Sequence, residues 1–551
     1  MTGELAIALA QTDPKVGDVA GNLALARYAR AKAAKLGADL VVFSELNIAG
    51  YPPEDLVLKP AFQEACRAAV ESLAADTADG GPGVIVGAPW IEAGRLHNTA
   101  LLLDGGKIAA LRHKHELPNY GVFDEKRVFA AGPLPGPVVF RGVRLGLMIC
   151  EDMWFPDAAE CLVESGAEIL VVPNGSPFEI DKLDERIALG VQRVVETGLP
   201  LIYVNQIGGQ DELVFDGASF VLNADRQLAA QMPAFVSDLA ITKWRRNAGG
   251  WACVEGPRAK PPEKLEAIYA ALVLGLRDYV TKNRFPGVIL GLSGGIDSAL
   301  TAAIAADALG PDKVRAVMMP SRFTSQESLD DAAACAKLLG IKYDTISIVP
   351  AVNAFAEMLG PAFEGTKPDT TEENIQSRAR GLTLMALSNK FGHMVVSTGN
   401  KSEMSAGYAT LYGDMCGGFA VLKDVYKTTV FDLSRWRNSN KPADALGPKG
   451  AVMPERVIVK PPTAELREGQ TDEASLGPYS RLDAILQALV EGEGSVAAVV
   501  AKGFAEDEVR RIWRMLDLAE YKRRQAPPGV KITRRAFGRE RRYPIVNGFR
   551  G

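Results

Sequence analysis

Residues 287–310 read GVILGLSGGIDSALTAAIAADALG. Residues 288–292 form a short apolar run typical of a buried strand, and the alanine-rich residues 297–309 predict a helix. Between them, SGGIDS at 293–298 contains adjacent glycines, which allow a tight turn and the close approach of a ligand. A helix that starts at such a turn presents free N–H groups and a positive dipole end, which attract phosphate. The stretch therefore predicts an α/β fold with a phosphate site at the carboxyl end of a strand.

This loop is not followed by the lysine that grips the outer phosphates in G-x-x-x-x-G-K-[ST] loops. It resembles instead the SGGxDS pyrophosphate loop of the ATP pyrophosphatases. That resemblance implies that ATP is broken between its α- and β-phosphates and that Mg²⁺ neutralises the departing pyrophosphate. The ATP-binding residues that it implies are Gly291, Leu292, Ser293, Gly294, Gly295, Ile296, Asp297 and Ser298, of which Asp297 would also be a Mg²⁺ ligand.

Four further motifs follow the loop in order. They are ENIQSRAR at 373–380, VVSTGNKSE at 395–403, GYATLYGD at 407–414 and KDVYKT at 423–428. With the loop, they resemble the NAD synthetase family, which amidates the nicotinate carboxylate of deamido-NAD. The resemblance implies that Thr398 binds ATP and that Glu403 joins Asp297 on Mg²⁺. The residues implied for deamido-NAD are Asn374, Glu403, Asp414, Lys427 and Lys522. Taken singly, each of these charged side chains would more simply be a solvated surface group.

Three chemically active residues in the first half of the chain come from strand-like segments. Glu45 follows the apolar residues 40–43, Lys114 lies in a strand-like segment, and Cys150 follows residues 143–149. Each has an ordinary explanation by itself. A cysteine among apolar residues is usually an inert core side chain, and a charge at a strand end is usually exposed.

In this order and spacing, however, Glu45, Lys114 and Cys150 resemble the Glu-Lys-Cys triad of the nitrilase superfamily. The surrounding segments YPP at 51–53, LPNYGVFDE at 117–125 and NQ at 205–206 resemble its glutaminase branch. The resemblance implies that Cys150 attacks the amide of glutamine and that Glu45 transfers the protons. The ordinary thiol pKa of ~8.5 would be countered by the Lys114 ammonium, which stabilises the thiolate and the oxyanion. Tyr120, Ser176 and Lys182 are the glutamine-binding residues that the resemblance implies.

We therefore predict two α/β domains. Residues 1–242 would form a nitrilase-like glutaminase domain, a four-layer α-β-β-α sandwich. Residues 263–551 would form an NAD synthetase domain with a doubly wound, parallel, Rossmann-like sheet. Residues 243–262, rich in Gly, Pro and Arg without a sustained period, are predicted to be the linker. Residues 361–372 and 438–471 are predicted to be loops, which are either binding loops or lids, or mobile surface insertions.

The amino-acid composition indicates which kinds of ligand and which cell compartment this protein is suited to. The 551-residue chain has 62 Lys and Arg against 67 Asp and Glu, a net charge of −5, which disfavours a nucleic-acid substrate. Six cysteines without a C-x-x-C pair favour a reducing cytoplasm, and four histidines are too few for a convincing three-His metal site. No apolar stretch is long enough to span a membrane. A cytoplasmic enzyme acting on small molecules is expected.

The two resemblances together imply a ligase for NAD biosynthesis. Glutamine would supply ammonia, a channel would carry it to the second site, and deamido-NAD that has been adenylated by ATP would accept it. The enzyme is expected to be a homo-oligomer. Tethering that merely raises the local ammonia concentration is the alternative to a channel. Another acceptor, such as a different carboxylate or a tRNA base, and a nucleotide-sensing scaffold with a degenerate amidase are the alternative functions. The scaffold predicts a lost triad or metal residue, and none is missing.

Overall fold

The structure is a computed structural model that describes residues 3–549. The chain divides into two compact units, Met1–Glu263 and Lys264–Gly551. Within residues 3–549, no helix is both long enough and apolar enough to cross a membrane.

The first unit consists of two sheets, a hairpin and four α-helices. Its strands are β1 (Glu4–Gln11), β2 (Leu40–Val42), β3 (Gly83–Glu92), β4 (Arg95–Asp104), β5 (Lys107–His113), β6 (Val138–Phe140), β7 (Val143–Leu147), β8 (Ile169–Asn174), β9 (Leu201–Asn205), β10 (Ile207–Gln210), β11 (Leu213–Asp216), β12 (Phe220–Leu222), β13 (Leu228–Gln231), β14 (Asp238–Asn247) and β15 (Gly250–Glu255). Its helices are α1 (Val19–Lys35), α2 (Pro60–Asp76), α3 (Pro156–Glu164) and α4 (Lys182–Thr197). The larger sheet has the order β15-β14-β1-β2-β3-β4-β5 and the smaller the order β13-β12-β9-β8-β7-β6, while β10 and β11 pair with each other.

The two sheets pack face to face. Ile7 and Leu9 of β1 share one core with Leu145 and Val171 of the smaller sheet. Because successive strand residues point to opposite faces, Ala8 of β1 lies instead in the core formed with α1 and α2. Helices α3 and α4 cover the outer face of the smaller sheet. The predicted four-layer α-β-β-α sandwich is confirmed.

The linker prediction was wrong for residues 243–255. These residues include the second half of β14 and all of β15, and β14 pairs antiparallel with β1 from Asp238 to Arg245. Trp244 and Trp251 are buried between the sheets, whereas Lys243 and Arg245 are exposed. The alternation is hard to recognise in the sequence because a glycine turn interrupts it and an edge strand carries many charges.

The second unit is built on one parallel sheet. Its strands are β16 (Val288–Gly291), β17 (Val314–Met318), β18 (Lys342–Thr345), β19 (Met394–Ser397) and β20 (Phe419–Ala420). Its helices are α5 (Lys264–Lys282), α6 (Ile296–Leu309), α7 (Gln326–Leu339), α8 (Val349–Leu359), α9 (Thr370–Phe391), α10 (Lys401–Ala406), α11 (Lys427–Ser439), α12 (Glu455–Val459), α13 (Asp472–Leu476), α14 (Tyr479–Val490), α15 (Val496–Val500), α16 (Glu506–Leu518) and α17 (Glu520–Arg523).

The order of these strands, β18-β17-β16-β19-β20, places a topological switch point beside β16. The chain moves outward from β16 to β18 and then returns to β19 on the other side of β16, with every pair parallel. The crevice at the carboxyl ends of such neighbouring strands is where ligands bind in open α/β sheets. The predicted doubly wound sheet is confirmed, and it brings the loops after β16 and β19 together.

Candidate active sites

The structure brings the predicted triad together in the first unit. Glu45, Lys114 and Cys150 lie in loops that follow β2, β5 and β7, and all three side chains are buried. Lys114 Nζ donates to Glu45 Oε1 at 2.7 Å. The charges of both residues act on the Cys150 thiol. A thiol, a carboxylate and an ammonium group therefore share one enclosed site.

Backbone and side-chain donors hold the Glu45 carboxylate in place. Its Oε1 also accepts a hydrogen bond from Asn98 Nδ2 at 2.7 Å, and its Oε2 accepts one from the Gly175 N–H at 2.9 Å. A Cβ atom at position 175 would lie 2.8 Å from the Tyr51 ring and 3.1 Å from Glu45 Oε2. Only glycine therefore permits this approach of the β8 loop to the carboxylate.

A second buried carboxylate, Glu125, was missed by the sequence analysis. Lys114 Nζ donates to Glu125 Oε1 at 2.8 Å, and the Tyr51 hydroxyl donates to the same oxygen at 2.8 Å. Burial raises the pKa of Glu125 to about 7, although Lys114 lowers it. The signal available in the sequence was an acidic residue at the end of the motif LPNYGVFDE, residues 117–125.

The Cys150 backbone has a strained conformation. Its φ is 47°, in the left-handed region that non-glycine residues rarely adopt, and it begins a short 3₁₀ turn, Cys150–Met153. The Asp152 carboxylate accepts hydrogen bonds from the N–H groups of Ile149, His115 and Glu116 at 2.7–2.9 Å. This bracing fixes the turn that presents the thiol.

The resting thiol does not match the sequence-based expectation of a stabilised thiolate. Burial raises the pKa of Cys150 well above its ordinary value, Glu45 raises it further, and Lys114 only partly opposes them. Burial is the main cause of this difference, and the Glu45 charge adds to it, while Lys114 is itself paired with Glu45 and Glu125. Cys150 is therefore a neutral thiol at rest, and its attack on a carbonyl requires a base.

Two of the predicted glutamine-binding residues surround a further carboxylate, Glu151, next to Cys150. The Tyr120 hydroxyl lies 3.0 Å from both Glu151 oxygens. Lys182 Nζ lies over the Trp154 ring, 4.4 Å from its centroid. Burial raises the pKa of Glu151, against the opposing charges of Lys114 and Lys182. Glu151 is thus a carboxyl group directly after Cys150 in the chain, and Lys182, which also pairs with Glu185 at 2.8 Å, acts on it electrostatically.

Ser176, the third predicted glutamine ligand, is engaged by a buried network. Its hydroxyl oxygen accepts from Arg186 Nε at 3.0 Å, and its N–H donates to Asn205 Oδ1 at 3.0 Å. Arg186 in turn pairs with Asp216 at 2.8 Å. The network positions Ser176 after β8, and its arginine could not be identified from the sequence because its partners come from distant segments.

In the second unit a cavity of about 270 Å³ is lined by the loops after β16 and β19. Every residue predicted for ATP lines it: Gly291, Leu292, Ser293, Gly294, Gly295, Ile296, Asp297, Ser298 and Thr398. Gly294 has a φ of 81°, and a Cβ atom there would lie 2.4 Å from the Ser328 carbonyl oxygen. The Ser293 and Ser298 hydroxyls share a hydrogen bond of 3.1 Å, which holds the loop in shape.

Asp297 and Glu403 converge on one cationic group. Lys427 Nζ bonds to Asp297 Oδ2 and lies 3.3 Å from Glu403 Oε1. Asp297 Oδ1 also accepts from Asn400 Nδ2 at 2.8 Å. Asp297 and Glu403 raise the pKa of Lys427 against the effect of burial, whereas burial raises the pKa of Glu403 to about 8. The two carboxylates can therefore share a single cation.

The residues predicted for deamido-NAD divide into two groups. Glu403, Asp414 and Lys427 line the cavity, and burial raises the pKa of Asp414 to about 6. Asn374 and Lys522 are not among the lining residues. Asn374 Oδ1 accepts from the Thr410 hydroxyl at 2.9 Å, and Lys522 Nζ donates to the carbonyl groups at 407 and 409 at 2.7 Å. Both hold the backbone segment that leads to Asp414.

Several cavity residues were not predicted. Arg380, Lys423, Lys460 and Asp472 line the cavity, and Asp472 is 4% exposed. Part of the segment 438–471 also lines it, including residues 460–466, which favours the binding-loop interpretation of that segment. Arg380 and Lys423 lie in motifs that carry the NAD synthetase resemblance but were given no role there, whereas Lys460 lies in a Pro- and Gly-rich stretch that has no periodic signal.

The folds and sites define the class of each unit. Residues 6–250 match the family model for carbon-nitrogen hydrolases, and residues 268–526 match the family model for NAD synthase. The first unit is therefore a carbon-nitrogen hydrolase unit and the second an NAD synthase unit. The chain is 50% identical to the glutamine-dependent NAD(+) synthetase of Rhodobacter capsulatus, over 100% of both chains. The Xanthomonas campestris enzyme of the same name is 47% identical over 99% of this chain and 98% of that one.

A solved structure matches over the same length. The glutamine-dependent NAD+ synthetase of Acinetobacter baumannii, solved in complex with ADP, is 44% identical, covers 99% of both chains and superposes with a TM-score of 0.79. The chain belongs to the family of glutamine-dependent NAD(+) synthetases.

The Glu125 carboxyl should give glutamine hydrolysis an inflection near pH 7. Below the pKa of about 7, a protonated Glu125 leaves Lys114 paired with Glu45 alone; above it, the ionised Glu125 shares Lys114, so that the ammonium holds Glu45 less tightly. The rate of glutamate release should therefore rise through this pH. Glu125→Gln should remove the inflection, whereas Glu160→Gln, an exposed glutamate on α3, should keep it. An unchanged inflection in Glu125→Gln would assign it to another group.

Proposed function

We propose that this chain makes NAD from deamido-NAD, with glutamine as nitrogen donor and ATP converted to AMP and pyrophosphate. The observation that carries the proposal is the presence, in one chain, of a complete buried Glu45–Lys114–Cys150 cluster and a phosphate-loop cavity. The first suits amide hydrolysis and the second suits activation of a carboxylate. Relatives that match the whole length of the chain are named glutamine-dependent NAD(+) synthetases, a name that combines both activities.

Hydrolysis of glutamine begins with Cys150. Glu45 takes the thiol proton as Sγ attacks the amide carbon, and the Lys114 ammonium stabilises the negative oxygen that forms. The same proton then passes from Glu45 to the amide nitrogen. The carbon-nitrogen bond breaks, ammonia leaves, and a thioester on Cys150 remains.

Glu45 next removes a proton from water, which attacks the thioester and releases glutamate. The proton returns to the Cys150 sulfur as the carbon-sulfur bond breaks. Since Lys114 is bonded to both Glu45 and Glu125, the carboxylate that accepts and returns these protons stays in one orientation. Deacylation and acylation therefore use the same positioned groups.

Glutamine selection is assigned to the charged groups beside Cys150. The α-carboxylate of glutamine suits Lys182, and its α-ammonium suits Glu151, whose carboxylate the Tyr120 hydroxyl orients. Ser176, held by Arg186, completes the pocket. A simple aliphatic amide lacks both charges and would leave these groups unsatisfied.

In the second unit the carboxylate of deamido-NAD attacks the α-phosphorus of ATP. An acyl adenylate forms and pyrophosphate leaves; ammonia then attacks the acyl carbon, loses a proton, and releases AMP. The phosphate-loop N–H groups at the start of α6 suit the phosphates. Lys427 and Arg380 line the same cavity and supply positive charge.

Mg²⁺ fits the residues present, because Asp297 and Glu403 are oxygen ligands that already converge on one cation. They would hold the ion, which when bound neutralises charge on the departing pyrophosphate. Among the described residues, no group of three or more His, Cys, Asp or Glu side chains is arranged to hold a metal. Water and phosphate oxygens would therefore complete the ion's ligand shell.

Two wider features belong to the same proposal. The first is channelled transfer of ammonia, since free ammonia would become non-nucleophilic ammonium in bulk water. The second is a cytoplasmic homo-oligomer. Helix α8 has no buried residue, its Met358 is 68% exposed, and Leu382 on the neighbouring α9 is 66% exposed. Exposed apolar side chains on neighbouring helices are consistent with association between copies, which is the support for this part of the proposal.

Replacing the nucleophile should separate the two nitrogen sources. Cys150→Ala should abolish glutamine-dependent NAD synthesis while ammonium still supports it, because adenylation does not use the thiol. Cys161→Ala, a half-buried cysteine on α3, should retain both activities. NAD formation from each source is measured in parallel. If glutamine-driven synthesis survives in Cys150→Ala, Cys150 is not the nucleophile.

Removing a cation-binding carboxylate should damage synthesis from either source. Asp297→Asn or Glu403→Gln should each lower NAD formation at least ~10²-fold, the scale for losing one charge-stabilising group. Glutamate release should stay detectable in both. Asp312→Asn, an exposed carboxyl in the same unit, is the control. Unchanged ammonium-driven synthesis in both site variants would exclude these residues from a metal site.

Isotope competition tests channelled transfer. With ¹⁵N-amide glutamine and excess unlabelled ammonium, a channel should give NAD labelled well above the bulk isotope ratio, because the released ammonia does not mix with solvent. Mass spectrometry of NAD measures the label. A product that matches the bulk ratio would show free diffusion.

A further inference from the structure

Glu465 attaches the cavity-lining loop to the start of helix α7. Its carboxylate Oε1 accepts hydrogen bonds from the Ser325 hydroxyl at 2.7 Å and the Ser328 hydroxyl at 2.8 Å. Its Oε2 accepts one from the Ser325 N–H at 3.3 Å. Glu465 belongs to the segment 438–471, far from both serines in sequence, so the contact closes a long loop.

The carboxylate occupies a favourable electrostatic position. Ser325 is the N-cap of α7, a helix of 14 residues, and the positive end of the helix dipole favours an anion there. The Glu465 charge also acts on the half-buried Arg380 guanidinium, which lines the same cavity. Glu465 itself has a φ of 48°, a conformation that costs energy in a residue with a side chain. The contacts at α7 offset that cost.

The same helix end touches the phosphate loop. The Ser328 carbonyl oxygen would lie 2.4 Å from a Cβ atom at Gly294, so the two backbones are in close contact. Lys460 Nζ donates to the Ser328 hydroxyl at 2.7 Å. Ser328 therefore links three groups: the Glu465 carboxylate, the Lys460 ammonium and the phosphate loop.

We propose that Glu465 is a positioning residue for adenylation, and that its carboxylate latches residues 460–466 against α7 so that the Lys460 ammonium stays beside the phosphate loop. There the ammonium is placed to stabilise the charge that develops on departing pyrophosphate. Glu465 touches no reacting atom itself. The inference rests on the proposed adenylating function of this cavity.

Kinetics test the catalytic consequence. In ammonium-driven NAD synthesis, Glu465→Ala should lower kcat at least ~10-fold, the lower scale for losing hydrogen bonds to a charged group, with a smaller change in KM for ATP. Glu465→Gln retains an acceptor oxygen and should recover part of the loss. Glu468→Ala, an exposed glutamate in the same loop, should match the unmodified enzyme. Glutamate release, measured on the same samples, reports that the first unit of each variant is folded.

Limited proteolysis tests the latch without requiring activity. Arg467 lies in the latched loop and is 55% exposed, so trypsin can cleave after it. Cleavage after Arg467 should be several-fold faster in Glu465→Ala and in Ser328→Ala than in Glu468→Ala, and the double variant should be no faster than the faster single one. Equal cleavage in all variants would overturn the latch. Faster cleavage with an unchanged kcat would overturn the positioning role. If the variants are cleaved faster but the unmodified chain itself makes no NAD, the latch stands and the proposed function is wrong.

Discussion

A buried lysine ammonium between two carboxylates organises each of the two sites. Lys114 lies between Glu45 and Glu125, and Lys427 lies between Asp297 and Glu403. A charge removed from water must be paired, because an unpaired buried ion costs several kcal/mol, on the order of the net stability of a domain. Each lysine therefore brings together carboxyl groups from separate segments of the chain: loops in the first unit, and the first turns of helices α6 and α10 in the second.

The same pairing has different chemical consequences in the two units. In the first, burial and the Glu45 charge raise the pKa of the Cys150 thiol well above its ordinary value, and Lys114, which is paired with two carboxylates, only partly opposes them. In the second, Lys427 lies within hydrogen-bond reach of both Asp297 and Glu403, so the ammonium group itself is the cation that these two carboxyl groups share.

Both sites also depend on close backbone approaches that only glycine allows. Gly175 brings the β8 loop against Glu45, and Gly294 brings the phosphate loop against Ser328. A side chain at either position would separate two segments whose contact forms the site. The pairing of charges and the fit of the backbones therefore act together.

The sequence alone determined the elements whose signals are local. The strand-turn-helix at 287–310 and the residues Glu45, Lys114 and Cys150 could be recognised, because strand periodicity, a glycine turn and motif order are properties of short segments. The tertiary structure alone decided which partners these residues have. Glu125, Glu151 and the Glu465 latch became visible only there, since their contacts join distant segments, and the Cys150 pKa reversed because burial and neighbouring charge are set by packing. Residues 243–255 became strands for the same reason: an edge strand is defined by the strand beside it.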